Sequence, residues 1–236
     1  MPSDKFSQDL ASLRSIVEQV LARAKEKGAT ACEAEASEGY GSTVTVRRGD
    51  VETIEYNRDK GISVSVYIGR KKGYASTSDF SAKAIADTTD AALSIARFTA
   101  EDEAAGLAEP GQLCRNAPED LDLFHPWDIA VEDAVRMAKE AEAAAFRLDK
   151  RVINSEGASV SAQQHQFAMG NSLGFMGAMR TSRHYLSCSV IAGEGDQMQR
   201  DDWYASQRAP EDLPAPEAVG DYAGRRALAR LRSRKI

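Results

Sequence analysis

The run Gly61-Ile62-Ser63-Val64-Ser65-Val66-Tyr67-Ile68-Gly69 places an apolar residue at every second position. Strand side chains point alternately to the two faces of a sheet, so this period predicts a strand with one apolar and one more polar face. Val44-Thr45-Val46, upstream, repeats the pattern in shorter form. Arg48-Gly49-Asp50 and Asp59-Lys60-Gly61 carry turn chemistry between the runs, and Gly69 through Gly73 closes the last of them. Cys32 to Thr77 is therefore expected to form a meander of antiparallel hairpins.

Outward from that meander the period changes. Leu10, Leu13, Ile16, Val17, Val20, Leu21 and Ala24 recur at spacings of three and four, which predicts an amphipathic helix that Gly28 can end. Downstream, Ser78 and Ser81 are candidate caps for a second helix with Ile85, Ala86, Thr89, Ala92, Leu93 and Ala96 on its apolar stripe. Thr99 to Asp128 has no sustained period and holds Gly106, Pro110, Gly111, Pro118 and Pro126. Val131 to Leu148 returns to helix, with Val135, Ala138, Ala141 and Ala145 on one side and Glu132, Lys139, Glu140 and Arg147 toward solvent. Val152 to Gln207 reads as a second strand-rich region, and Pro210 to Pro216 lead into a last helix.

Helices and antiparallel strands in two segregated regions predict an α+β fold with helices packed on strand-rich sheets, not a doubly wound parallel sheet. The expected domains are 1–115 and 116–236, the second incomplete.

The composition excludes several classes. A chain of 236 residues, 42% hydrophobic and 28% charged, can bury a core without staples. No apolar run reaches the ~20 residues of a membrane helix. Met1-Pro2-Ser3-Asp4-Lys5 lacks the pattern of a secretory leader, so a cytoplasmic location is expected. Cys32, Cys114 and Cys188 are odd in number and widely spaced, which predicts reduced thiols and neither a disulfide framework nor a zinc knuckle. A net charge of −6 opposes broad attraction to nucleic acid.

The search for catalytic chemistry returns short matches only. Gly170-Asn171-Ser172-Leu173-Gly174 spells the G-x-S-x-G nucleophile elbow, which requires a helix directly after the serine. Phe175 to Ser182 has no helical period, so a glycine-bounded hairpin turn accounts better for the string. His125 precedes a proline, while His165 and His184 fall on different candidate strands. No His-Glu-x-x-His or close variant is present to hold zinc. His184 and Cys188 share a strand face but stand ~13 Å apart, too far to hold one ion. Asp201 and Asp202, with Glu194 and Asp196, read as surface charges more readily than as a paired acid and base. Arg225, Arg226, Arg230, Arg232, Arg234 and Lys235 form a basic tail that suits either a helix C-terminus or an acidic partner. Phosphate-binding glycine loops are absent.

Longer strings are more specific. Gly49-Asp50-Val51-Glu52-Thr53-Ile54-Glu55-Tyr56-Asn57 and Asp120-Leu121-Asp122-Leu123-Phe124-His125-Pro126 resemble the N-terminal region of TldE/PmbA proteins, in the TldD/PmbA metallopeptidase family. Asn154-Ser155-Glu156-Gly157, Gly170-Asn171-Ser172, Ser187 through Ala192 and Met198-Gln199-Arg200-Asp201 follow in the family's order. The resemblance runs from about Leu13 to the last residue. It implies a metal-free subunit paired with a TldD-type partner whose own chain bears the zinc motif, in a complex that degrades or trims unfolded peptides such as microcin precursors. It implies no catalytic, cofactor or metal residue in this chain, and no activity of the chain alone. Family members extend well beyond Ile236, so strand edges left uncovered here are expected to favour self-association. The family's older description as a modulator of DNA gyrase supplies the alternative, a nucleic-acid-binding regulatory module.

Overall fold

The computed structural model describes residues 5–114 and 120–233. Among them the order of elements is α1 (Leu10–Glu26), β1 (Ala31–Arg47), β2 (Asp50–Ile68), β3 (Lys71–Thr77), α2 (Ala82–Phe98), α3 (Val131–Leu148), β4 (Val152–Asn171), β5 (Met176–Ala192), β6 (Gln199–Gln207) and α4 (Pro216–Ala229). The six strands form one antiparallel sheet in the order β3-β2-β1-β4-β5-β6. Each half is a meander, as the turn signals imply, and β1 pairs with β4 to join them. The fold is α+β. The domain boundary expected at 115/116 lies outside the described residues; the strands before and after it share this sheet.

Four of the strands run for 17 to 20 residues, against a usual range of about 3–10. One predicted break is therefore corrected. Asp59-Lys60-Gly61 is not a turn but the middle of β2, held in register against Gly39, Glu38 and Ser37 of β1. Continuous pairing outweighs the local turn preference of these residues. Gly73 likewise lies inside β3, where a Cβ would fall 2.0 Å from the Ala92 carbonyl oxygen of α2. Its lack of a side chain lets the helix lie directly on the strand.

Side-chain parity places all four helices on one face of the sheet. Cys32, Ala34, Ala36, Val44 and Val46 of β1 share that face and are buried. The first three pack with Leu13, Val17 and Val20 of α1 and Leu93 and Ala96 of α2. The last two pack with Ala134, Ala138 and Ala145 of α3 and Val219 and Ala223 of α4. Long strands thus carry two helix pairs, one toward each end, with two separate apolar clusters beneath them. Asp9 caps α1 by accepting the Ser12 N–H at 2.7 Å, and Ser81 caps α2 by accepting the Ala84 N–H at 3.2 Å. No helix among the described residues is long and apolar enough to cross a membrane.

Candidate functional site

Between the helix pairs the covered face of the sheet turns polar. Glu38 takes the place of the next apolar residue of β1, yet it is buried. Its carboxylate accepts the N–H groups of Ser7 and Gln8 at 2.7 and 3.1 Å, and the Gln166 side-chain amide reaches the same oxygen as Gln8 at 3.4 Å. The entry into α1 is thereby tied to the sheet. Arg180 donates to the Gln166 side-chain oxygen and lies over the rings of Phe6 and Phe124.

A strap from Leu123 to Ile129 crosses this polar seam. The Ser182 N–H donates to the Leu123 carbonyl at 2.8 Å, and the Ser182 hydroxyl accepts the His125 N–H at 2.8 Å. His184 Nε2 lies 2.8 Å from the His125 carbonyl, and its ring meets Trp127 edge to face. Burial lowers the pKa of His184, against the opposing pull of that carbonyl, so the neutral ring is favoured. With the ring neutral and Nε2–H donating, Nδ1 is left as a buried acceptor without a partner among the described residues.

Under the strap opens a crevice of about 270 Å³. Gln164 and Ala162 of β4 line it together with Trp127 and Ile129 of the strap, and Tyr56 and Arg58 of β2 border it. Asp50 to Lys60 of β2 is exposed, because β3 pairs only with Ile62–Ile68. Lys5 and Asp128 also border the crevice and form an ion pair at 2.7 Å. Gln164 is 4% exposed, and its Oε1 has no hydrogen-bond partner among the described residues. Nothing in the sequence singles out Gln164 or Trp127. Both read as ordinary strand and loop residues until the chain folds.

The residues singled out from the sequence are not brought together. Ser172 sits in the β4–β5 hairpin turn, followed by a strand, and its hydroxyl accepts the Cys32 N–H at 3.0 Å while its own N–H donates to the Cys32 carbonyl at 2.8 Å. The elbow string is therefore a hairpin that closes the end of β1. His165 is exposed on the uncovered face of the sheet, His184 is buried on the covered face, and the ring of His125 contacts Asp122. Among the described residues no group of three or more His, Cys, Asp or Glu converges on a point. Cys32 and Cys188 are buried, and burial pushes both thiols up to about 12.

Asp201 and Asp202 point to opposite faces as successive strand residues. Asp201 pairs with Arg226 at 3.1 Å and Arg230 at 3.4 Å. Burial opposes ionisation of Asp201, but the Asp202 N–H and the two guanidinium groups outweigh it and hold the carboxyl below its usual range. Arg225 pairs with Asp221. Three arginines of the basic tail are thus matched within the chain, while Arg234 and Lys235 lie outside the described residues.

A one-sided antiparallel sheet, covered by two helix pairs with a polar seam between them, defines an α+β class of fold. The PmbA/TldA metallopeptidase domain 1 matches residues 32–96, and the central domain of the same family matches 124–231. The chain belongs to the PmbA/TldD metallopeptidase family. It is 40% identical over 235 residues to the metalloprotease PmbA of Escherichia coli O157:H7, covering 98% of this chain and 52% of that protein. It is 38% identical over 224 residues to a PmbA homolog of Haemophilus influenzae, covering 95% and 49%. The chain therefore spans about half the length of these relatives. Among solved structures, a candidate modulator of DNA gyrase from Bacteroides thetaiotaomicron shares the fold with a TM-score of 0.82 at 24% identity, over 94% of this chain and 51% of that one. TldE from Thermococcus kodakarensis does so with a TM-score of 0.70 at 15% identity, over 90% and 47%.

Proposed function

We propose that this chain is a metal-free, non-catalytic part of a TldE/PmbA-type subunit, which pairs with a TldD-type zinc-bearing partner in a cytoplasmic complex acting on unfolded peptides. The observation that carries the reading is the placement of the three histidines. A hydrolytic zinc site draws its imidazoles to one point, with a position left open for water. Here His165 and His184 lie on opposite faces of the sheet, and the His125 ring lies in the strap against Asp122. The residues do not fit the metal that the family's name implies, so no hydrolytic step is derived through this chain.

What the chain supplies instead is scaffold and surface. Its long sheet leaves one face without helices and leaves the Asp50–Lys60 edge of β2 unpaired, two features that suit contact with another polypeptide. A nucleic-acid role draws no support from the geometry, because Arg225, Arg226 and Arg230 are paired with aspartates.

Two measurements test the proposal: the metal content and peptide hydrolysis of the isolated chain, and its co-purification with a TldD-type protein in the presence and absence of the region that the longer relatives contain. The expected result is no stoichiometric zinc, no turnover alone, and capture by the partner. Stoichiometric zinc accompanied by peptide turnover would overturn it.

A further inference from the structure

The C-terminal half of α3 and the β1–β2 turn border a groove of about 600 Å³ that shares no residue with the crevice under the strap. Lys139, Glu142, Phe146 and Arg147 of α3 line it, together with Arg48 of the turn and Ile153 of β4. The α3 positions lie on one face of the helix, because 139, 142 and 146 are three and four residues apart.

Charge around the groove is unbalanced. Arg48, Lys139 and Arg147 are exposed, and none of them forms an ion pair among the described residues. Three neighbouring carboxylates are engaged elsewhere, Glu140 with Arg136, Glu52 with Arg47 and Asp149 with Arg151. Glu142 is the acidic residue of the lining, and both its oxygens are taken by the N–H groups of Arg48 and Gly49. A surplus of positive charge therefore borders the exposed Ile153 and the half-buried Phe146.

The spacing of the cations narrows what fits. Lys139 and Arg147 are eight residues apart, or about 12 Å along the helix axis. In an extended peptide residues i, i+2 and i+4 share one face, and i to i+4 spans about 13 Å. Two carboxylates four residues apart thus match the two helix cations, and the side chain midway meets the apolar surface of Phe146 and Ile153. A continuous polyanion such as a nucleic acid fits less well, because it places charge over the Glu142 carboxylate between those cations.

We propose that this groove docks an extended acidic segment of another polypeptide, in which two carboxylates flank an apolar side chain in the pattern acid-x-apolar-x-acid. Lys139 and Arg147 hold the carboxylates, Arg48 adds attraction from the turn, and Phe146 and Ile153 pack on the apolar residue. The site calls for no metal and no TldD-type partner, so it and the partner-subunit reading can fail separately.

The test uses the chain as described and the end-blocked peptide Glu-Ser-Leu-Ser-Glu, followed by NMR at the backbone amides of Arg48, Phe146 and Ile153. Saturable shifts at these amides are expected, with an affinity that falls as salt rises. Glu-Glu-Leu-Ser-Ser, of the same composition, and Glu-Ser-Ser-Ser-Glu, without the apolar residue, should each bind at least fivefold more weakly. Lys139→Gln and Arg147→Gln alter exposed side chains and should each lose about threefold, as for one exposed ion pair, and about tenfold together. Lys25→Gln, on α1, should lose nothing. No saturable binding, shifts confined to other parts of the chain, equal binding of the three peptides, an unchanged affinity in the double variant, or a thymidine pentanucleotide binding the same amides as tightly would each overturn the proposal.

Discussion

Glu142 of α3 offers the sharpest energetic test of how the two halves of the sheet are held together. It is 2% exposed, and its carboxylate accepts the N–H groups of Arg48 and Gly49, each at 2.7 Å. Those residues form the β1–β2 turn, with φ of 54° and 81°, the two-residue left-handed geometry that matches strand twist. The contact locks the tip of the β1–β2 hairpin, and with it the strand that carries Tyr56 and Arg58, to the second helix pair. Hydrogen bonds to a charged group contribute about 1.5–3 kcal/mol each, so the pair has a ceiling of about 3–6 kcal/mol. Removing the carboxylate also ends the cost of keeping it out of water, and the exposed turn can hydrate its freed N–H groups. Glu142→Ala is therefore expected to cost about 2–3 kcal/mol, a fall of about 4–12 °C in Tm for a chain of this size. Glu142→Gln should be no better, because its amide accepts one N–H and sets its own NH2 group against the other. Urea unfolding gives the comparison, with Glu140→Ala on the exposed side of α3 as a control within about 0.5 kcal/mol. A Glu142→Gln variant as stable as the parent chain would refute the reasoning.

Three further outcomes follow from the structure. With the Cys32 and Cys188 thiols raised to about 12, a disulfide reagent at pH 8 should modify only the exposed Cys114 quickly and reach the other two after denaturation; fast reaction of two or more thiols in the native chain contradicts this. Gly220 of α4 lies so close to α3 that a Cβ would sit 1.8 Å from the Ala141 carbonyl oxygen; Gly220→Ala should destabilise by about 1–3 kcal/mol despite its better helix propensity, and a stabilised variant in thermal unfolding would exclude the close crossing. The folded-state pKa of His184 is lowered below its unfolded value of 6.5 by burial, so the unfolded chain binds more protons in the window beneath that value. Stability should be fully present above pH 6.5 and decline as pH falls through the folded pKa; His184→Gln, which keeps a donor for the His125 carbonyl, should flatten the profile there, and an unchanged profile would remove His184 as the cause.

Periodicity made the elements legible because it reports a local property, the alternation of buried and exposed positions. α1, α2 and α3 follow their apolar stripes, and Ser81 caps as its chemistry suggests. Asp59-Lys60-Gly61 misled because turn preference is also local, while the ladder to β1 that overrides it is formed by residues some twenty positions away. The reading of Gly170 to Gly174 as a hairpin was accessible from the sequence, since the absence of a helical period after Ser172 already favoured a turn over the elbow. The crevice was not accessible. Gln164, Trp127 and Tyr56 come from a strand, a strap and the edge of another strand, and no spacing along the chain relates them.

The alternation of Ile62 to Ile68, the helical stripes and the family strings were enough, from sequence alone, to specify an α+β member of the PmbA/TldD family. The pairing of β1 with β4, the placement of both helix pairs on one face, and the burial of Gln164 beneath the strap were decided only by tertiary structure. The physical reason is the range of the forces involved. Side-chain alternation and capping act within a few residues, whereas sheet order and the seam between two apolar clusters depend on which distant surfaces exclude water from one another.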